Sequence, residues 1–216
     1  MKIKANKLQI EVEDTGGSGE VVVLIMGLGM QLVAWPVELV QALVQQGYRV
    51  IRHDNRDIGL SEKFDHLGTP NLFWESVKFR MGLSTKPPYT LHDMAQDTLG
   101  VLDTLGIQRA HIVGASMGGM IAQHVAIAAP RRALSLTSIM SSSGARGLPG
   151  PKAEVLRVMM ARPKGRDREA VLRHYVRLLR AIGSPGFPMD EALVRQRISA
   201  GLDRSPYAPQ GTMRQM

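Results

Sequence analysis

The 216 residues include 44% hydrophobic side chains, enough for one sizeable core, and no cysteine, which excludes disulfides, thiolate metal sites and cysteine nucleophiles. The formal charge of +8 is concentrated between Arg146 and Arg180, where ten Lys/Arg stand against three Asp/Glu. No aromatic platform is interleaved with that run, so it reads as a solvated helical face and not as a nucleic-acid surface, and no apolar run approaches the roughly 18–20 residues that a membrane span needs.

The N-terminal "KIKANKLQIEVED" alternates polar and apolar residues around Asn6-Lys7, which predicts a hairpin. It lacks the apolar core of a signal peptide, so a cytoplasmic protein is expected. "EVVVLIM" (Glu20–Met26) is a continuous β-branched apolar run, the pattern of a strand buried on both faces, and it stops at "GLGM". Helical spacing over Pro36–Gln46 ends at Gly47. "YRVIRHD" is the next strand. The segment Ser61–Tyr89 has weak periodicity and reads as a long connection. "TLHDMAQDTLGVLDTLG" is a helix, with Thr90 as N-cap, Asp93 in its first turn and Gly106 beyond its end. "AHIVG" is a strand, Met117–Ala129 a helix, and "ALSLTSIM" a strand.

From residue 20 onward strands and helices therefore alternate, which implies an α/β fold: a mostly parallel sheet with helices on both faces and ligands at the carboxyl ends of the strands. After Ser143 the pattern changes. "GARGLPGP" reads as a linker, and three helical patterns follow at Ala153–Ala161, Arg168–Ile182 and Asp190–Leu202. These imply a core over 1–145 and a helical lid or cap over 146–216.

One stretch needs a chemical reason. "GASMG", Gly114 to Gly118, fits G-x-S-x-G at the joint between strand and helix. In such a turn Ser116 is strained, with its hydroxyl lifted above the sheet, and a Cβ at Gly114 or Gly118 would clash. The competing reading is a glycine-rich turn that only packs a helix tightly on a strand. A serine nucleophile needs a base, and the oxyanion it creates needs two donors. The backbone N–H of Met117, directly after the serine, is one candidate.

The segments "LIMGLGMQLVAWP", "YRVIRHDNRDIGLSEK", "GASMGGMIAQ" and "DRSPYAPQGTMRQ" resemble the α/β-hydrolase superfamily, in particular its bacterial serine esterases of the aclacinomycin-methylesterase type. The resemblance implies Ser116 as nucleophile, the Leu28 N–H as second oxyanion donor and a small-molecule ester as substrate; neither cofactor nor metal is expected. His92 and Asp97, five positions apart on one helix, do not make a metal pair. The resemblance also suggests that Asp54, Asn55, Arg56 and Asp57 hold their loop by internal hydrogen bonds and ion pairs, with His53 a strand-end histidine. The lid methionines Met159, Met160 and Met189 suggest an apolar lining or plain core.

In that superfamily an acid and a histidine follow the serine in the chain. Downstream of Ser116 only His124 and His174 occur. His124 lies eight positions along the same helix, roughly 12 Å away at 1.5 Å per residue. His174 falls in the basic helical pattern. The expectation is therefore that the chain is C-terminally truncated, stopping inside a last lid helix, with the two final strands, the acid and the histidine beyond residue 216. A companion C-terminal fragment or a homo-oligomer would then cover the "ALSLTSIM" edge. The alternatives left open are a cofactor-free haloperoxidase or acyltransferase using the same serine, and a non-catalytic binding module.

Overall fold

The computed structural model describes residues 1–216 except Thr85, Lys86, Arg146, Pro149, Pro151 and Arg166, and also excepting the side chains of Phe73, Ser76, Phe79 and Arg80. Part of the expected linker and two arginines of the basic run thus lie outside the described residues. The elements are β1 (Lys2–Ala5), β2 (Leu8–Asp14), β3 (Val21–Ile25), α1 (Val37–Gln45), β4 (Arg49–His53), α2 (Leu72–Arg80), α3 (Leu91–Thr104), β5 (Ala110–Ala115), α4 (Met117–Ala128), β6 (Ala133–Ile139), α5 (Ala153–Met159), α6 (Arg168–Ile182), α7 (Glu191–Arg204) and α8 (Pro209–Gln215). They form two compact units, Met1–Ser143 with Ala208–Met216, and Gly144–Tyr207.

The first unit holds a mixed six-stranded sheet in the order β1-β2-β4-β3-β5-β6. β1 and β2 form the expected hairpin, with Asn6 and Lys7 both at positive φ (47° and 68°), the pair a two-residue type I′ turn requires. β2 runs antiparallel to β4, and β4, β3, β5 and β6 are mutually parallel. β6 is the far edge, with Leu136 partly exposed.

β3 is apolar throughout because both its faces are covered. Val21, Val23 and Ile25 join Ile51, Ile112, Met94, Leu102 and Ile121 in one core beneath α3 and α4. Val22 and Leu24 face the other way, onto Trp35 and Val40 under α1. Each such side chain contributes about 1.5–3 kcal/mol by leaving water. α3 opens with a full capping box between Thr90 and Asp93.

Two expectations need correction. The Ser61–Tyr89 connection contains a helix, α2; its sequence LFWESVKFR has no single apolar stripe, so periodicity could not reveal it. The C-terminal residues do not prolong a lid helix. They form a separate helix, α8, that belongs to the first unit, and Pro209 at its start supplies the fixed φ that suits a first helical turn.

The second unit is helical. α6 and α7 carry side-chain caps from Asp167 and Asp190. The basic run is laced with carboxylates: Arg173 and Arg195 both meet Glu169, Arg180 meets Glu191, and Arg168 meets Asp203. Met159 and Met160 are 38% and 49% exposed, so they are not plain core.

Candidate active site

The strand order places a crevice. β3 lies between β4 and β5, so the chain leaves β3 toward one side and returns for β5 on the other; at such a switch point the loops after the two strands diverge. Those loops are Met26–Gln31 and the Ser116 turn, brought level by the register Ile25↔Gly114.

Ser116 sits between β5 and α4 with φ 56° and ψ −123°, a left-handed backbone that costs a non-glycine residue about 1–3 kcal/mol. Its N–H reaches the Ile139 carbonyl at 2.9 Å, tying it to the end of β6. A serine at an N-cap usually spends its hydroxyl on the helix. Here it makes no cap bond, and the residue is exposed.

The glycines explain how this turn is held. A Cβ on Gly114 would strike the Gly118 carbonyl and lie 2.6 Å from the Gly119 nitrogen; one on Gly118 would strike the Ile25 carbonyl and lie 2.8 Å from the Met26 oxygen. The two glycines crowd each other as the motif implies, but Gly118 is pressed chiefly by β3. A Cβ on Gly27 would stand 3.1 Å from Ser116 Cβ and 3.5 Å from its Oγ. The loop carrying Leu28 therefore lies directly against Ser116.

Among the described residues, no acceptor takes the N–H of Leu28 or of Met117. The Met117 side chain is buried in the core and that of Leu28, partly buried, packs against it. The Gly29 N–H is different: it donates to Gln215 Oε1 at 3.1 Å.

The loop after β4 has the expected internal hydrogen bonds, but its ion pairs run to distant residues and not within the loop. Asn55 Nδ2 donates to the Met26 carbonyl (2.8 Å), Asp54 accepts from the Leu32 N–H (2.8 Å), and the Arg56 guanidinium donates to both carboxylate oxygens of Asp97 (2.6 and 2.7 Å). Bonds within the loop also exist, from the Leu60 N–H and the Ser61 hydroxyl to Asp54. Asp57 accepts from Arg214, the Phe64 N–H and the Tyr89 hydroxyl. Burial raises the Asp57 carboxyl, but those donors outweigh it and hold it below its ordinary value.

The histidines are elsewhere. His53 is buried at the end of β4, with Nε2 3.3 Å from Thr98 Oγ1, and burial pulls its pKa down to about 4 against the nearby Asp97. His124 packs its ring on His92. His174 is a buried residue of the second unit, its pKa lowered by burial and then by Arg177. Asp97, turned to Arg56 and Asn6, does not meet His92. Among the described residues, no cluster of three metal-ligating side chains occurs and no helix is long and apolar enough to cross a membrane.

Sequence reasoning missed Asn55 as an anchor of the Met26–Gln31 loop, and it missed Gln215. The chain separation between Gln215 and Gly29 is 186 positions, and no local signal links them.

A family model described as alpha/beta hydrolase fold matches residues 20–168. Rhodomycin D methylesterase of Streptomyces peucetius is 32% identical over 199 residues, which is 82% of this chain and 60% of that protein. The 2-hydroxy-6-oxononadienedioate/2-hydroxy-6-oxononatrienedioate hydrolase of Paraburkholderia phymatum is 30% identical over 93% of this chain and 62% of its own length. The chain thus spans about three-fifths of these curated relatives. A solved meta-cleavage product hydrolase from Pseudomonas fluorescens superposes with a TM-score of 0.69 at 20% identity, covering 99% of this chain and 66% of that one; that likeness concerns the fold alone.

Proposed function

Because the chain belongs to the α/β-hydrolase fold family, we propose that it carries the nucleophile and oxyanion donors of a carboxylic-ester hydrolase. The observation that carries this reading is Ser116: an exposed hydroxyl, unused by its own helix, on a strained residue beside two backbone amides with no acceptor among the described residues. Strain of that kind is retained where the surrounding structure over-determines it, and here Gly114, Gly118 and Gly27 do so.

In this reading Ser116 Oγ attacks the ester carbonyl carbon and its proton passes to a base. The carbonyl oxygen becomes an oxyanion and accepts hydrogen bonds from the Leu28 and Met117 N–H groups. Removing one such donor elsewhere costs about 10²–10³ in rate. Collapse of the tetrahedral intermediate expels the alcohol, which takes the proton, and leaves an acyl-Ser116 ester. Water then attacks that ester by the reverse sequence and releases the acid. His53 is too buried and too weakly basic to be the base, and His124 lies on α4, of which Ser116 is the N-cap. The reading gives the role of base to neither of these histidines.

Methyl esters are the first substrates to try, on the strength of the methylesterase relative. The test is labelling of the complete gene product by a fluorophosphonate probe. Labelling that Ser116→Ala abolishes supports the enzyme; a complete product that takes no label favours a binding module instead.

A further inference from the structure

The Gly27–Gly29 loop is gripped from two sides. Asn55 Nδ2 holds the Met26 carbonyl just before it, at 2.8 Å. Gln215, on α8, holds the Gly29 N–H just after it, at 3.1 Å, and its Nε2 donates to the Arg56 carbonyl at 2.8 Å. A carboxamide offers an acceptor and a donor in one planar group, and the two backbone partners fix which way round it lies.

The surrounding contacts fit a clasp. Gly29 has φ 69°, and a Cβ there would lie 2.7 Å from Thr212 Oγ1, so α8 is seated against the loop with no room for a side chain between them. Gly211 allows equally close approach to the Asp57 backbone. Arg214 anchors the helix independently, through both oxygens of Asp57 and one of Asp65. Gln215 is therefore free to serve the loop without also having to hold α8 in place.

We propose that Gln215 is a positioning residue: through Gly29 it fixes the short backbone segment that bears the Leu28 N–H beside Ser116. The idea rests on the ester-hydrolase reading for its purpose, though not for its geometry. Glutamate at this position keeps the acceptor for Gly29 and loses the donor to Arg56. Alanine loses both.

Two measurements test it. The first is amide hydrogen exchange in the 216-residue chain. In Q215A the Gly29 amide should exchange about tenfold faster, the scale of one lost hydrogen bond, while Ile112 and Val23 in the sheet are unchanged. Unchanged Gly29 exchange would overturn the clasp. The second is turnover of p-nitrophenyl acetate by the complete gene product. There Q215A should lower kcat about 10-fold or more with KM within about twofold, and Q215E should recover part of the loss. A faster-exchanging Gly29 with kcat unaltered in an active parent would overturn the positioning role. A parent that does not turn over, with Ser116 unlabelled, would defeat the hydrolase reading instead, and exchange would still decide the clasp.

Discussion

Arg214 and Asp57, 157 positions apart, meet with side chains 2% and 0% exposed: Nε and Nη2 of the arginine reach the two carboxylate oxygens at 2.9 and 2.7 Å. The pair pins α8 to the loop after β4. Removing one partner strands a buried charge, so Arg214→Met and Asp57→Asn should each destabilise the fold by about 3–5 kcal/mol. Urea unfolding of both singles and the double variant checks this. The double should be much less destabilised than the sum of the singles; strict additivity would mean that the pair is not coupled.

His53 makes stability pH-dependent. Its pKa is about 6.5 unfolded and about 4 folded. The folded state therefore disfavours the proton, and its full stability holds above pH 6.5. As pH falls from 6.5 toward 4 the unfolded chain takes up the proton first, and about 3 kcal/mol is lost over that window. His174, also lowered, acts in the same direction. The difference between the parent and His53→Gln isolates the first histidine: the variant should show a shallower slope of unfolding free energy between pH 7 and 5.

The elbow glycines should be intolerant for a local reason. Gly118→Ala drives a methyl into the Ile25 backbone and should cost about 1–3 kcal/mol or more, with Gly114→Ala similar. Gly186→Ala is the control, since its Cβ would meet nothing nearer than Ser184 Oγ at 3.9 Å. Thermal melts in which all three fall together would contradict the packing argument.

Ser116 itself trades stability for position. Glycine accepts φ 56° without strain, so Ser116→Gly should be more stable than Ser116→Ala by about 1 kcal/mol, read from paired urea titrations. Both should lose fluorophosphonate labelling. Equal stability would mean that the turn is not strained.

How much of this was legible in the residues follows from how local each signal is. β3 announced itself because burial on both faces requires an unbroken apolar run. The Ser116 turn was legible because its motif fits within five residues at a strand-to-helix joint, although the contact of Gly118 with Ile25 and Met26 was not. α2 was hidden because no stripe in LFWESVKFR marks a buried face. α8 had only Pro209 to signal it, and nothing in PQGTMRQ says that Arg214 will meet Asp57 or that Gln215 will meet Gly29. The polar loop after β4 was correctly read as a support. Its targets were not, because a carboxylate's partner is chosen by the folded chain and not by its neighbours in sequence.

The placing of Gly118 against the end of β3 has a wider consequence. It joins the turn that bears Ser116 to the main chain at Ile25 and Met26, with no side chain interposed between them. Exchange of a side chain elsewhere leaves that junction of main chain with main chain as it is.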